Sequence, residues 1–335
     1  MAKSSYPTNA QRAAILPKGS TISSPGWKEK APILARHEKA KQLRMPWEAK
    51  FQECYDYAIP SKDAMFALAP GSDRVEMIYD ETAMVGVQEF ASRLQEGLVP
   101  AFSQWIYLRA GADVPPDQKA EVDAQLEAVT TYVFEVINSS NFAQEAVECF
   151  LDLAVGTACM SVQDGDDESL IVCKAIPISQ LFIDKGADDR IGFNSRVRKE
   201  AVEDIRSIWP KAALSEELNR MIAEDGTKQI ELIEAVYTDR TPAGEENHYC
   251  VLAPKQQAVL FEEVYKGSGS SPMITFRWSK MAGEVWGRGP LFNCMPAVRT
   301  CNLTVQLILE NAEMAIGGFY TAEDDGADQQ YGGDY

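Results

Sequence analysis

The chain has 335 residues, of which 45% are hydrophobic and 24% are charged; these proportions are typical of a globular protein and exclude wholesale disorder, collagen and low-complexity sequence. Its 32 lysines and arginines against 50 aspartates and glutamates give a formal net charge of −18 at pH 7. Such a charge repels phosphate backbones on average, so it disfavours a sequence-reading nucleic-acid binder but allows a protein past which DNA slides.

The first half of the ordered chain is predicted to be helical. Residues 1–30 are rich in Ser, Thr, Pro and Gly and are expected to form a flexible arm. Proline is tolerated at the first position of a helix, so Pro46 predicts a helix that begins near Met45 and ends before Pro60. Three further helices are predicted: one over 80–97, one from Pro115 with Val122, Leu126, Val129, Val133 and Val136 on its inner face, and one over 142–153.

From about Gly156 the apolar period changes to that of strands. Residues 158–163 and 169–175 flank an Asp-Gly turn and predict a hairpin. Further strands are predicted over 180–184, 229–238, 248–252, 258–266 and 273–278, with two short helices over 200–208 and 215–223.

A long apolar helix is predicted to run from Gly289-Pro290 to Ile316. Polar residues recur every three or four positions along it and form one narrow stripe: Arg299, Asn302, Gln306, Glu310 and Glu313. The remaining surface is apolar, and the chain offers no obvious second long helix to cover it. We therefore expect the stripe to face a channel or a neighbouring subunit and the opposite face to pack within an oligomer.

A glycine-rich segment precedes this helix and is predicted to be a hinge. Three glycines permit a sharp turn, and tryptophans can anchor it against packed surface. The predicted hinge residues are Gly283, Trp286, Gly287 and Gly289, with Trp278 as a second anchor. The alternative is an ordinary loop that ends in a helix cap.

Catalytic and metal-binding motifs are missing from the sequence, so no catalytic residue, metal or cofactor is predicted. It has two histidines and no GxSxG, HExxH or GxxxxGK[ST] motif. The acid-rich turns at 164–168 and 184–189 lack the spacing of a calcium loop, although a hydrolase using these acids is one alternative. The seven cysteines form no CxxC pair and are expected to be mostly reduced core residues, and no apolar run is long enough to predict a membrane span.

Six segments carry a resemblance to a known family. They are residues 47–61, 78–83, 88–100, 148–157, 277–290 and 302–316. In order and spacing they resemble the head-to-tail connector, or portal, proteins of short-tailed bacteriophages (podoviruses).

The resemblance implies an α+β fold, with a helical wing that contains an inserted small β-domain and is followed by one long stem helix. It implies the following division: a flexible arm at 1–30, the helical wing at 31–157, a β-rich wing subdomain with two short helices at 158–280, the hinge and first stem helix at 281–320, and a tail or the start of the clip at 321–335.

The resemblance also implies a function and partners. Similar proteins form a homo-oligomeric ring, commonly of twelve subunits, at one vertex of the capsid in the virion, after assembly in the host bacterial cytoplasm. Double-stranded DNA passes through the ring without sequence recognition during packaging and ejection, and terminase, capsid or scaffold proteins and tail proteins attach to it. No membrane is involved.

One departure from the family pattern lies at the end of the chain. Similar proteins continue after the first stem helix into a clip, a second stem helix and a crown, so we expect this chain to be a C-terminally truncated member. The alternatives are another oligomeric virion or scaffold component, or a non-functional prophage remnant.

Overall fold

The structure is a computed structural model that describes residues 27–62, 75, 78–100, 103–165, 169–186, 189–210, 212, 214, 216–241 and 244–317. Most of the predicted arm at 1–30, the predicted tail at 321–335 and parts of both acid-rich turns lie outside these residues.

The described elements divide into a helical first part, a strand-rich middle and a final long helix. The helices of the first part are α1 (Ala31–Ala58), α2 (Thr82–Leu98), α3 (Lys119–Ser139) and α4 (Phe142–Val155). There follow β1 (Thr157–Asp164), β2 (Ile171–Ile176), β3 (Leu181–Lys185), β4 (Ile191–Ala201), α5 (Asp204–Ile208), α6 (Glu216–Glu224), β5 (Gln229–Thr241), β6 (Gly244–Ala253), β7 (Ala258–Lys266), β8 (Met273–Arg277) and α7 (Pro290–Gly317).

The strands form two antiparallel sheets, and the strands of the second sheet lie in the sequence between two strands of the first. The first has the order β2-β1-β8, and the second has the order β3-β4-β5-β6-β7. Because β1 and β2 precede the second sheet in the chain and β8 follows it, the five-stranded sheet is an insertion between β2 and β8. The predicted α+β class, with a helical part, an inserted β-domain and a long C-terminal helix, is confirmed.

Strand β4 is missing from the predicted elements, because three consecutive residues in it are both polar and buried. Asn194, Ser195 and Arg196 are consecutive and all buried, which removes the apolar alternation typical of a strand. Their polar groups have partners: the Ser195 hydroxyl, for example, lies 2.9 Å from Nδ1 of the buried His37. The strand is therefore held by nine residue pairs with β5 and by buried hydrogen bonds rather than by apolar packing alone.

The predicted helix start at Pro46 is wrong, because α1 begins at Ala31 and continues through this proline. Ile33, Ala40 and Phe51 are all buried on one face of α1. That face continues on both sides of Pro46, so packing against the core stabilises the helix where the proline removes one backbone donor.

The predicted inner face of α3 is only partly correct, because Val122, Leu126 and Val136 are half-buried but the other two residues are exposed. Val129 and Val133 are 47% and 38% exposed, and the buried residue of the helix is Thr130. The Thr130 hydroxyl donates to the carbonyl of Leu126 and accepts the N–H of Leu108, which turns this polar position inward.

A charged group lies in the core between α1 and α4. The Asp152 carboxylate is 2% exposed and accepts hydrogen bonds from the Tyr55 hydroxyl at 2.7 Å and from Lys62 Nζ at 2.9 Å. Burial raises the pKa of Asp152, while the Lys62 charge and the Tyr55 hydrogen bond act in the opposite direction. Lys62 therefore compensates a carboxylate that water does not reach.

Replacing Pro46 with alanine should stabilise the protein. The Pro46 side chain is exposed, so the substitution restores a backbone donor without opening a cavity. We expect the free energy of unfolding to rise by about 1–3 kcal/mol in urea denaturation. The control Lys41→Ala, also exposed on α1, should change it far less. A loss of stability in Pro46→Ala would show that the proline does not weaken α1.

Removing the cation beside Asp152 should make stability depend on pH. At pH 8, Lys62→Met should lose about 3 kcal/mol, because it leaves a buried carboxylate without its charged partner. The pKa of Asp152 then lies further above its unfolded value, so the folded variant gains stability as the pH falls and the carboxyl takes up a proton. Unfolding in urea at pH 5 and pH 8 measures this difference. The double variant Lys62→Met with Asp152→Asn should not show it; an equal loss at both pH values in the single variant would refute the explanation.

Candidate functional site

The candidate site is the junction between the β-rich part and α7, formed by residues 278–289. This segment follows β8 and lies against the connection from α4 to β1. The Trp278 N–H donates to the carbonyl of Gly156, and the Gly289 N–H donates to the carbonyl of Val155, each at 2.9 Å. The Gly287 N–H donates to the Thr157 hydroxyl, also at 2.9 Å. Three hydrogen bonds thus attach the junction to the connection from α4 to β1.

Glycines are required where these two backbones meet. Gly156 has φ 144°, a conformation that L side chains rarely adopt. A Cβ atom on Gly287 would overlap the carbonyl oxygen of Gly156, and one on Gly289 would overlap the carbonyl oxygen of Ala154. The structure therefore gives Gly287 and Gly289 a role in close backbone contact. A change of angle here, which the predicted hinge requires, stays a prediction.

The other two predicted hinge residues lie in different surroundings. Gly283 has φ 86° and has no atom within 4 Å of where a Cβ would stand. Trp286 is fully buried, and its ring lies 5.3 Å from that of Phe51 in an edge-to-face arrangement. Trp278, predicted as a second anchor, is 46% exposed but contacts Phe90 with ring centroids 5.1 Å apart.

Two arginines link the junction to the rest of the fold. Arg277 Nη1 donates to the carbonyl of Val285 at 2.9 Å. Arg288 forms a two-point ion pair with Glu284, which lowers the pKa of that carboxyl, and its guanidinium lies 5.3 Å from the ring centre of Trp47 on α1. The loop is therefore held at both ends by side chains of its own and neighbouring segments.

The first half of α7 packs against the chain's own helices. Leu291 and Met295 are buried, and Phe292 contacts the rings of Trp47 and Phe51. This half of the helix therefore belongs to the core of the single chain.

The first two residues of the predicted polar stripe also contact the chain itself. Arg299 forms an ion pair with Glu53 of α1 at 2.7 Å. The buried Asn302 accepts the backbone N–H groups of Tyr79 and Asp80 through its side-chain oxygen, at 2.7 and 3.2 Å. These contacts join α7 to α1 and to the segment that leads into α2.

The second half of α7, residues 303–317, projects from the described part of the chain. Of the predicted stripe, Gln306 donates to Glu310 at 2.9 Å and Glu313 is exposed. Six large apolar side chains here are between 48% and 87% exposed: Leu303, Leu307, Ile308, Leu309, Met314 and Ile316. The role of the stripe at a channel or a subunit interface is not tested by a single chain and stays a prediction.

The cysteines are mostly buried thiols, and five of the seven lie in the interior. Burial raises the pKa of Cys54, Cys159 and Cys250 to about 12, so these thiols are protonated at neutral pH. Cys294 and Cys301 are exposed on α7.

The described residues contain neither a metal-binding cluster nor a helix that could span a membrane. Within those ranges, no group of three or more His, Cys, Asp or Glu side chains is placed to hold a metal ion. None of the helices in the same part of the chain has the length and apolar character needed to cross a membrane.

Sequence reasoning missed three residues that build the junction. Gly156 marks the point where the apolar period changes, but its contact with residues 287–289 carries no local signal. Arg277 and Arg288 lie within a segment that carries the family resemblance, without a predicted role. The spacing of Glu284 and Arg288 is that of an ion pair within one turn, whereas the contact of Arg288 with Trp47 is long-range and has no local signal.

Comparison with known proteins gives one family. A family model described as bacteriophage head to tail connecting protein matches residues 30–332. A search of curated protein sequences gives no match. The family match covers nearly the whole chain and includes both the junction and α7.

Adding a methyl group at the junction should be costly. Gly287→Ala and Gly289→Ala should each lower the free energy of unfolding by at least about 2 kcal/mol, because the backbones must separate to admit a Cβ. The matched control is Gly86→Ala within α2, where no atom lies within 4 Å of the new Cβ. That variant should gain about 0.5–1 kcal/mol from helix propensity. Equal effects of the three substitutions in urea denaturation would show that the close contact is not a constraint.

Proposed function

Because the chain belongs to the family of bacteriophage head-to-tail connecting proteins, we propose that it is a structural subunit of the portal ring, through which DNA is packaged into the phage head and later ejected. The family is one of structural phage proteins and implies a portal or connector role. The observation that carries the proposal is the second half of α7, which extends beyond the chain's own core with its apolar side chains exposed.

This half of α7 has the properties of an assembly surface. A helix that is apolar on most sides needs neighbours on most sides, and the described part of the chain covers it only as far as Asn302. Copies of the same helix arranged around a symmetry axis would cover one another. We therefore assign α7 to the stem of the ring and residues 31–280 to its wing, with 31–157 as the helical part and 158–280 as the β-rich part.

In this proposal the polar stripe has two parts with different roles. Gln306, Glu310 and Glu313 lie on the projecting half and would face the channel or the adjacent subunit. Arg299 and Asn302 lie at the base, where their contacts to Glu53 and to the backbone before α2 would set the direction of the stem. Gly283, Trp286, Gly287 and Gly289 would form the connection between wing and stem.

The charge of the chain supports passage of DNA rather than its retention. A net charge of −18 disfavours tight attachment of a phosphate backbone along the channel. In this proposal twelve subunits form the ring at one capsid vertex of the virion, after assembly in the bacterial cytoplasm. Terminase, capsid or scaffold proteins and tail proteins bind to its surfaces.

Sedimentation velocity of the full chain tests the proposal. The wild type should sediment as an oligomer, and negative-stain electron microscopy should show rings with a central channel. A triple variant, Leu303→Gln, Leu307→Gln and Met314→Gln, should shift the population to monomer, because it makes one exposed stripe of α7 polar without disturbing the buried half.

The matched control places the same change on another exposed apolar surface. Val129→Gln, Tyr132→Gln and Val133→Gln alter three exposed residues of α3, and this variant should still form rings. A wild type that stays monomeric, or dissociation caused by the α3 substitutions but not by those on α7, would count against the stem assignment. Oligomers without a central channel would point to another kind of virion or scaffold component.

A further inference from the structure

Strand β7 is the last strand of the five-stranded sheet and has a neighbouring strand on one side only. It is nine residues long, contains no proline and pairs with β6. Within the residues that the structure describes, no backbone group of β7 forms a hydrogen bond beyond that pairing. Alternate residues of an edge strand direct their N–H and C=O groups outward, so β7 presents a row of donors and acceptors to which another strand can add.

Two other edge strands are capped by side chains, whereas β7 is not. The Asn141 amide donates to the carbonyl of Cys173 at 2.7 Å and accepts its N–H at 2.8 Å, which closes the outer side of β2. On β3, the carbonyl of Leu181 accepts a hydrogen bond from Arg44 at 3.1 Å. Among the described residues, no side chain binds the backbone of β7 in this way. The edge of β7 is therefore open to pairing.

The direction of α1 brings the start of the chain to this edge. The helix crosses one face of the five-stranded sheet, where Arg44 contacts β3 and His37 contacts β4. Lys30, just before the helix, forms an ion pair with Glu262 of β7 at 2.6 Å. Trp27 packs against the apolar cluster between α1 and the sheet. The chain therefore enters the described fold on the β7 side of the sheet.

The segment that precedes this entry point differs in charge from the rest of the chain. Residues 1–26 contain three basic residues and no acidic residue, although the whole chain has a formal net charge of −18. Strand β7 carries Glu262, Glu263 and Lys266, and of these Glu263 forms no ion pair within the described ranges. Opposite charges therefore favour the approach of the N-terminal segment to β7.

We propose that residues 18–24 pair with β7 of the same chain as a sixth strand of the sheet. They lie between Pro17 and Pro25, so each of them has a backbone N–H, and Thr21 and Ile22 are β-branched residues that favour strands. A Pro-Gly pair, typical of a turn, separates them from the start of the described fold. Because this connection is short, closing it costs little entropy. The proposal goes beyond the portal role and does not depend on ring formation.

Hydrogen exchange of the full chain, followed by mass spectrometry, tests the proposal. In the wild type nearly all amides of 258–266 should exchange slowly, because β6 holds one half of them and the added strand holds the other. In Ile22→Pro the proline removes a donor from the middle of the added strand. The number of slow amides in β7 should then fall by about half.

The matched control is Ala10→Pro, which makes the same kind of change in the N-terminal segment but outside residues 18–24. Exchange of β7 in this variant should equal that of the wild type. A variant that lacks residues 2–24 should behave like Ile22→Pro. Circular dichroism reports whether each variant is folded, and the point variant decides the result if the deletion is not.

The triple α7 variant, Leu303→Gln with Leu307→Gln and Met314→Gln, separates pairing within one chain from pairing between copies. Slow exchange of β7 in this variant supports the proposal, since the chain's own segment protects β7 in any oligomeric state. Slow exchange in the wild type but not in the triple variant would show that a neighbouring copy covers the edge, and would overturn the proposal. It is also overturned if the outward amides of wild-type β7 exchange fast, as they would if the basic segment served another ligand, or if Ile22→Pro and Ala10→Pro have equal effects.

Discussion

The close contact between two glycine-containing backbones is the constraint on which the rest of the structure depends. Gly156 lies between the end of α4 and the start of β1, and residues 287–289 belong to the connection from β8 to α7. Because no side chain separates the two segments, backbone N–H groups of one reach carbonyls of the other directly. The helical part, the three-stranded sheet and the C-terminal helix therefore meet at one point. The buried Trp286 fills the space beside that point, where it packs against Phe51 of α1.

Arginines hold the connections of this acidic chain where regular secondary structure is interrupted. Arg44 of α1 donates to the carbonyls of Ser179 and Leu181 and stacks 3.8 Å from the ring centre of Phe182. Arg277 acts similarly at the junction, through backbone carbonyls. A guanidinium can satisfy several carbonyls at once, so each arginine replaces hydrogen bonds that a strand or helix would otherwise supply.

The sequence was sufficient to predict a helix or strand where apolar spacing and turn residues agree. The β1–β2 hairpin, the four strands from 229 to 277 and the long C-terminal helix follow from local patterns, and the structure contains them all. The family resemblance was also confirmed over 30–332. Local patterns could not place Asn302, because its partners are backbone groups more than two hundred residues away.

The errors have a common physical cause, which is that tertiary contacts override local preference. Pro46 normally marks a helix start, yet a continuous buried face keeps α1 intact through it. Thr130 normally faces water, yet two hydrogen bonds turn it inward and leave Val129 and Val133 outside. In β4, consecutive buried polar residues hide the strand period. Each error lies where a polar or restricted residue is satisfied by a distant partner.

Because α7 is held by the chain only as far as Asn302, a small change of angle there would move the end of its second half by a larger distance. The helix is fixed to the chain as far as this residue, and the fifteen residues 303–317 extend about 22 Å beyond it at 1.5 Å per residue. Over that length a tilt of about 5° at the base would displace the tip by about 2 Å, which is comparable with the tolerance of side-chain packing. The contacts of Arg299 and Asn302 at the base therefore decide how accurately the far end of the helix is placed, although they lie well away from it.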